Sequence, residues 1–349
     1  MSNSTADLGI VISADSHVIE PMKLWTERLP ASMRDVRLPF VGRAEKADNR
    51  PGGHNPNERV KEMALDGVSA EVLYPTLALT LFGLDDAALQ EACFRVYNDW
   101  LIEYCSAAPD RLLGIPCIPA YDIDKGIKEL ERCAKNGLKG AIIWQSPHKD
   151  LPFTSGHYDR FWAAAQEMNA PVSLHILTGH NYSKDMFGGD QYQLFRGATN
   201  LKMVENTNAL FDIIMSGVLE RFPRLTLVNV ETEIGWIPFF LQQLDYYWQR
   251  FGSKYPLPIK KMPSEYFNRQ VWSTFFNDPV GARYLKEWGH DTCMWSNDYP
   301  HGNSPWPHSR DVIQRDLAGL PLSLQHKLVR ENVVRLYDMK VPETAAVAA

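Results

Sequence analysis

Apolar positions along the chain follow two alternating patterns. Short aliphatic and β-branched runs, bounded by Pro, Gly or polar turns, read as buried strands. Between them apolar residues recur at spacings of three and four, which reads as helix. The strand-like runs are 9–14, 70–74, 113–118, 139–144, 171–175, 225–230, 271–276 and 292–296. The run at 113–118 carries Pro116, which removes one ladder donor. The clearest helix starts at Asp85-Asp86, where Leu89, Cys93, Val96, Tyr97, Trp100, Leu101 and Tyr104 form one stripe that reads as core. Further helices are expected over 57–66, over 122–136 with an Asn136-Gly137 stop, over 158–169, as one long helix ending at Arg221, over 234–249, 279–288 and 309–338. The stretch 252–268, with three prolines, reads as an irregular link.

Eight strand–helix alternations in 349 residues predict an α/β fold, a (β/α)₈ TIM barrel. One domain is expected over 1–349, with an ordered core at 8–338 and a frayed tail at 339–349. Two stretches are too long for plain connections. These are the Pro- and Gly-rich segment 18–56 after strand one and the polar loop 178–191 after strand five, both expected as insertions rimming one mouth of the barrel.

Composition adds exclusions. With 45% apolar and 22% charged residues the chain is ordinary for a globular protein. A net charge of −6 without any Lys/Arg block argues against a nucleic-acid partner. No apolar run approaches the roughly 20 residues of a membrane span. The first residues lack a basic, then apolar, leader. Five cysteines, with no C-x-x-C, suit reduced thiols and a cytoplasmic location. A small-molecule substrate is the expected partner.

The chemistry gathers where strands end. In a TIM barrel the C-terminal ends of the strands carry the catalytic groups. Here Asp15 and His17 end strand one, His175 ends strand five, Glu231 ends strand six and Asp298 follows strand eight. Two residues apart on a strand, Asp15 and His17 share a face. Each alone reads as a turn or surface residue. Together they read as a divalent-metal site, since carboxylate and imidazole are ligands for Zn²⁺, Mn²⁺ or Fe²⁺.

The motifs Asp15-Ser16-His17-Val18-Ile19-Glu20-Pro21, Pro109-Asp110-Arg111, Pro171 to His175, Gly217 to Pro223, Glu231 to Trp236, Asn297-Asp298-Tyr299-Pro300-His301 and Glu331 to Tyr337 span nearly the whole chain in order. In this it resembles the amidohydrolase superfamily, in the branch related to aminocarboxymuconate-semialdehyde decarboxylase. The resemblance implies a divalent-metal barrel enzyme and a homodimer. Two positions depart from it. Asp15-x-His17 stands where the superfamily commonly has His-x-His, and Glu231 stands where the decarboxylases commonly have a proton-donating His.

The first is tolerable, since carboxylates ligate Zn²⁺ and Mn²⁺; the second puts decarboxylation in doubt and favours hydrolysis as the sequence reading. Asp15, Glu231 and Asp298 would bring about −3 if ionised; a single divalent ion would leave the cluster negative, two with a bridging hydroxide would bring it near neutral, and one or two ions are expected. The expected reaction is hydrolysis of an amide, ester, thioester or lactone of a small organic acid. The alternative is decarboxylation of an aromatic or muconate-type acid. In either case Asp15, His17, His175, Glu231 and Asp298 are the expected metal ligands. Asp298 and Glu231 are also the expected catalytic groups, and His301 is expected to orient a ligand. Trp25, Tyr74, Trp144, His180 and Asn277 are candidates for the pocket wall.

Overall fold

The computed structural model describes residues 8–39, 50–180 and 191–341. The parts of both expected insertions at 40–49 and 181–190, and the tail beyond 341, lie outside the described residues. Eight strands appear in the expected order: β1 (Ile12–His17), β2 (Ala70–Tyr74), β3 (Leu112–Gly114), β4 (Ala141–Ile143), β5 (Val172–His175), β6 (Leu227–Val230), β7 (Val271–Phe275) and β8 (Cys293–Trp295). All pairings are parallel, in a three-stranded arc β1-β2-β3 and a five-stranded arc β4 to β8. Every strand residue is buried, as parallel strands covered by helices must be.

Two seams join the arcs. At the first, the Ile142 amide donates to the Pro116 carbonyl (2.9 Å) and the Ile118 amide to the Ile142 carbonyl (3.0 Å). Pro116 therefore shortens β3 to three residues without opening the barrel. At the second, the Asp298 amide donates to the Asp15 carbonyl (2.9 Å) and the His17 amide to the Tyr299 carbonyl (2.6 Å). β1 does not stop at residue 14. It runs on through Asp15 and His17, with a register shift between Ser13 and Ser16 where it meets β2. That irregularity lets a ladder hydrogen bond and two chemically active side chains share one strand end.

The helices begin where polar caps ask them to. Asn55 accepts from the Asn57 and Glu58 amides, Asp86 from Ala88 and Leu89, and Asp122 from Asp124 and Lys125. Three expectations need correction. The helix expected to run unbroken to Arg221 is Gln191–Asn200, a π-helical turn Leu201–Glu205, Asn206–Met215 and a short Val218–Arg221. Gly217, at φ +77, makes that last break, and a Cβ there would meet the Pro258 carbonyl oxygen at 2.5 Å. The expected link at 252–268 ends in a helix, Pro263–Gln270, with proline at its first turn. The expected helix 279–288 is helical only over Pro279–Ala282.

The described part of the first insertion is stitched to the C-terminal end of the barrel. The buried Glu20 carboxylate accepts the Leu77 (2.9 Å) and Ala78 (3.0 Å) amides beyond β2. Among the described residues no helix is long and apolar enough to cross a membrane. All five cysteines are buried free thiols.

Candidate active site

The ends of β1, β5, β6 and β8 converge on one point. His17 Nε2 lies 3.5 Å from Asp15 Oδ1, 3.3 Å from Asp298 Oδ1 and 3.3 Å from His175 Nε2. His175 Nε2 is 3.8 Å from both Asp15 Oδ1 and Glu231 Oε2. Donors bound to one ion at about 2.1 Å stand about 3.4 Å apart in a tetrahedron. Asp15, His17 and His175 therefore stand at ligand spacing as one triple, and His17 and Asp298 belong to a second with His301.

Tautomers support the same fit. His17 Nδ1 is 2.7 Å from the Pro75 carbonyl, and His175 Nδ1 is 2.8 Å from the Ile176 carbonyl. A carbonyl only accepts, so both rings carry their proton on Nδ1. Two Nε2 lone pairs then face each other across 3.3 Å. Burial holds His17 well below the usual imidazole range, helped by His301 and His175, and lowers His175 to about 4. Both are neutral, as a ligand must be. Both oxygens of Asp15 and Oδ2 of Asp298 are buried with no hydrogen-bond partner. Burial, then the charges of Asp298 and Glu231, push the Asp15 carboxyl well up, and burial with Asp298 raises Glu231 to about 8. Opposed lone pairs and unpartnered carboxylate oxygens are what a cation would resolve.

Around the donors lies a supporting layer. Thr76 Oγ1 donates to the Val18 carbonyl (2.7 Å), so the bond to His301 Nε2 (3.1 Å) is donated by the ring. His301 Nδ1 is 2.8 Å from Asp298 Oδ1, and its ring lies over that of His17 at 4.1 Å. Burial would lower His301, but the Asp298 charge outweighs it and raises the imidazole. Glu231, Glu233 and Asp298 all adopt left-handed backbone, at φ +59, +57 and +50. Such strain in non-glycine residues is concentrated at functional sites.

Of the five expected wall residues, Tyr74 lies against the donors. Trp25 is 1% exposed and donates its indole N–H to the Cys93 carbonyl, so it belongs to the core. Tyr74 lies beneath the donors, its ring 5.3 Å from His175 and its hydroxyl 3.0 Å from Ser173 Oγ. Trp144 is fully buried and donates to the Tyr158 hydroxyl. His180 faces Tyr121 (3.1 Å) and Asp85 (3.4 Å) in a separate group with His148. Asn277 is exposed in the bend after β7. The working residue of that bend is Asp278, which accepts the Ile234, Gly235 and Gly281 amides.

Two residues near the donors were missed. Glu233 could have been found, since it repeats the strand-alternation spacing from Glu231. Lys202 had no signal. It sits mid-helix in sequence, yet its Nζ is 3.1 Å from Glu233 Oε1 and its charge reaches Asp15 and Glu231.

A parallel eight-stranded barrel with a His₂-carboxylate cluster at its C-terminal mouth defines a class of metal-site barrels. Residues 14–339 match the family model described as Amidohydrolase, and the chain belongs to that family. Its relatives include the gamma-resorcylate decarboxylases of Rhizobium sp. (strain MTP-10005), 26% identical over 264 residues, and of Rhodococcus jostii (strain RHA1), 29% identical over 259 residues. Each alignment covers 70% of this chain and 76% of the relative. Among solved structures, the 5-carboxyvanillate decarboxylase of Novosphingobium aromaticivorans DSM 12444, complexed with manganese and 4-hydroxy-3-methoxy-5-nitrobenzoic acid, superposes with a TM-score of 0.75. It covers 97% of this chain and 98% of its own, at 19% identity, a likeness of fold.

These relatives overturn the expectation of hydrolysis, for they are decarboxylases. The charge of −3 on the cluster holds only if Glu231 is ionised, and burial beside Asp298 raises its carboxyl to about 8.

Proposed function

We propose that this chain is a metal-dependent carboxy-lyase that removes CO₂ from a hydroxylated aromatic carboxylic acid. The observation that carries the reading is its similarity, over 70% of its length, to gamma-resorcylate decarboxylases. Asp15, His17, His175 and Asp298 would hold one divalent ion, zinc, manganese or iron. When bound, that ion supplies fixed positive charge to dock and polarise an anionic phenolic acid.

The chain's own residues do the rest. His301 holds Asp298 by the 2.8 Å contact and fixes its rotamer. Glu231, a buried carboxyl held up by its surroundings, gives its proton to the ring carbon that bears the carboxylate. The carbon–carbon bond to the carboxylate then breaks, its electron pair returns to the ring, and CO₂ leaves. One proton enters and one CO₂ departs. Solvent restores the proton on Glu231. The buried free thiols suit a reducing, cytoplasmic setting, and an exposed aromatic face on the helix Ile237–Phe251 suits a homodimer.

The test loads the protein with Mn²⁺ or Zn²⁺ and supplies 2,6-dihydroxybenzoate and 5-carboxyvanillate in turn. CO₂ and the decarboxylated phenol are followed together. The expected result is release from at least one hydroxylated benzoate, abolished by chelation and by Asp15→Asn. A fully metal-loaded protein inert toward hydroxylated benzoates would overturn the reading.

A further inference from the structure

We propose that Lys202 is the receptor for the substrate's carboxylate, an inference that rests on the carboxy-lyase reading above. The lysine lies on the π-helical turn Leu201–Glu205 between two α-helices. A π turn adds a residue to the helical circuit and re-aims the side chains on it. Here it directs Lys202 toward the ends of β6 and β7. The side chain is 30% exposed, its Nζ lies 3.1 Å from Glu233 Oε1, and it stands 5.3 Å from the centre of the Phe276 ring. Glu233 is itself fixed, since its other oxygen accepts the Phe276 amide at 3.2 Å. A surface lysine is not held on two sides in this way.

Position decides the role. In the proposed reaction the proton replaces CO₂ on one ring carbon. The carboxylate must therefore lie beside the proton donor, Glu231. Lys202 reaches that place through its contacts with Glu233, two residues beyond Glu231, and with Phe276 just beyond β7. Its ammonium has three donors, of which Glu233 takes one.

A lysine also suits a group that must leave uncharged. A forked guanidinium would grip the carboxylate through two bonds and hold the ground state back. An ammonium binds as a point charge. Its attraction exists for the bound acid and fades as neutral CO₂ forms. Lys202 should therefore govern KM rather than kcat. Glu233 competes with the substrate for the same ammonium and so sets how strongly it binds.

The experiment compares two probes on the Mn²⁺-loaded protein, 2,6-dihydroxybenzoate and resorcinol, which differ only by the carboxylate. Binding is read by calorimetry and turnover by CO₂ release. For Lys202→Met the Kd for the acid should rise roughly 10–100-fold, the worth of a hydrogen bond to a charged group. Resorcinol binding, metal content and kcat should stay within about threefold, and Lys202→Arg should recover much of the acid's affinity. Glu233→Gln should act in the opposite direction and tighten the acid, a check that does not depend on how Lys202→Met folds. Equal weakening of both probes, a loss confined to kcat, or a wild-type protein that binds the acid no better than resorcinol would overturn the assignment. Should the wild type bind the acid through Lys202 but release no CO₂, the carboxy-lyase reading fails and the receptor assignment stands.

Discussion

At the scale of single residues the site is a problem in charge. Asp15, Glu231 and Asp298 are buried together, and the two histidines beside them are neutral. If Glu231 is the proton donor, Glu231→Gln removes the proton and keeps the shape. Its kcat should fall roughly 10²–10⁴-fold with metal content unchanged. Glu231→His should retain part of the rate, since an imidazole also carries a proton near neutral pH. A Gln variant at full rate would end the assignment. The same charges predict how stability depends on pH. The Glu231 carboxyl is raised from 4.5 to about 8 in the folded state, so its favourable contribution is complete below 4.5 and is lost as pH climbs toward about 8; Asp15, raised by burial, acts in the same direction. Buried neutral His17 and His175 act in the opposite direction below about pH 6.5, so the Glu231 share shows as a difference between proteins: the stability of chelated wild type relative to chelated Glu231→Gln should fall from pH 5 to pH 8 by an amount on the order of 3 kcal/mol. Metal should flatten the difference, as thermal melts with and without Mn²⁺ would read out. An identical pH dependence in chelated wild type and chelated Glu231→Gln would sink it. The clustered residues could be read from sequence because each sits at or just beyond a strand's end, where the barrel rule places active groups. Lys202 could not, because a π turn leaves no periodic trace in a run that otherwise reads as one helix.

At the scale of elements, the seam between β1 and β8 carries the most consequence, for it sets His17 against Asp298. Arg59, on the helix Pro56–Asp66, locks that seam from below. It is wholly buried, donates to Glu71 Oε2 on β2 (2.5 Å) and to the His17 carbonyl (2.6 Å), and lies 4.4 Å over the Tyr299 ring. Arg59→Met leaves the Glu71 charge buried and unpaired, so it should cost about 3–5 kcal/mol. Metal affinity should weaken as well, since His17 loses its carbonyl's anchor. Restoring neutrality with Arg59→Met/Glu71→Leu should regain much of the stability but not the metal affinity. Equal unfolding midpoints and metal affinities for wild type and Arg59→Met would refute this positioning role. Seams of this kind are hard to see in a sequence. The helix Pro56–Asp66 was legible from Asn55 and the glycine beyond it, and β2 from its apolar run ahead of Pro75. That Arg59 of the one should meet Glu71 of the other is a property of closure. The same holds for β3, where a proline-broken run closes the barrel through backbone bonds at Pro116 and Ile118.

At the scale of the whole molecule, the helix Ile237–Phe251 has two apolar faces where one would serve. Ile237, Leu241 and Leu244 recur at helical spacing and are buried against the barrel. Phe239 and Tyr246, seven residues apart, share the opposite face at 68% and 51% exposed. Tyr247 packs edge-on against Tyr246 and stacks on Phe251 at 5.7 Å. Large aromatic side chains gathered on one exposed face are a mark of an association surface, and two-fold pairing of identical faces is the commonest way to cover one. The expected partner is a second copy of this chain, each copy laying this helix against the other's. A stable dimer needs about 800 Å² from each copy, so several of these rings must be covered at once. Sedimentation at micromolar concentration should give twice the chain mass. Phe239→Glu/Tyr246→Glu places two charges in the covered face and should shift the protein toward monomer without lowering its unfolding midpoint by more than the loss of association explains. An unchanged dimer in that variant would move the interface elsewhere, and a wild type that sediments as a monomer would remove it.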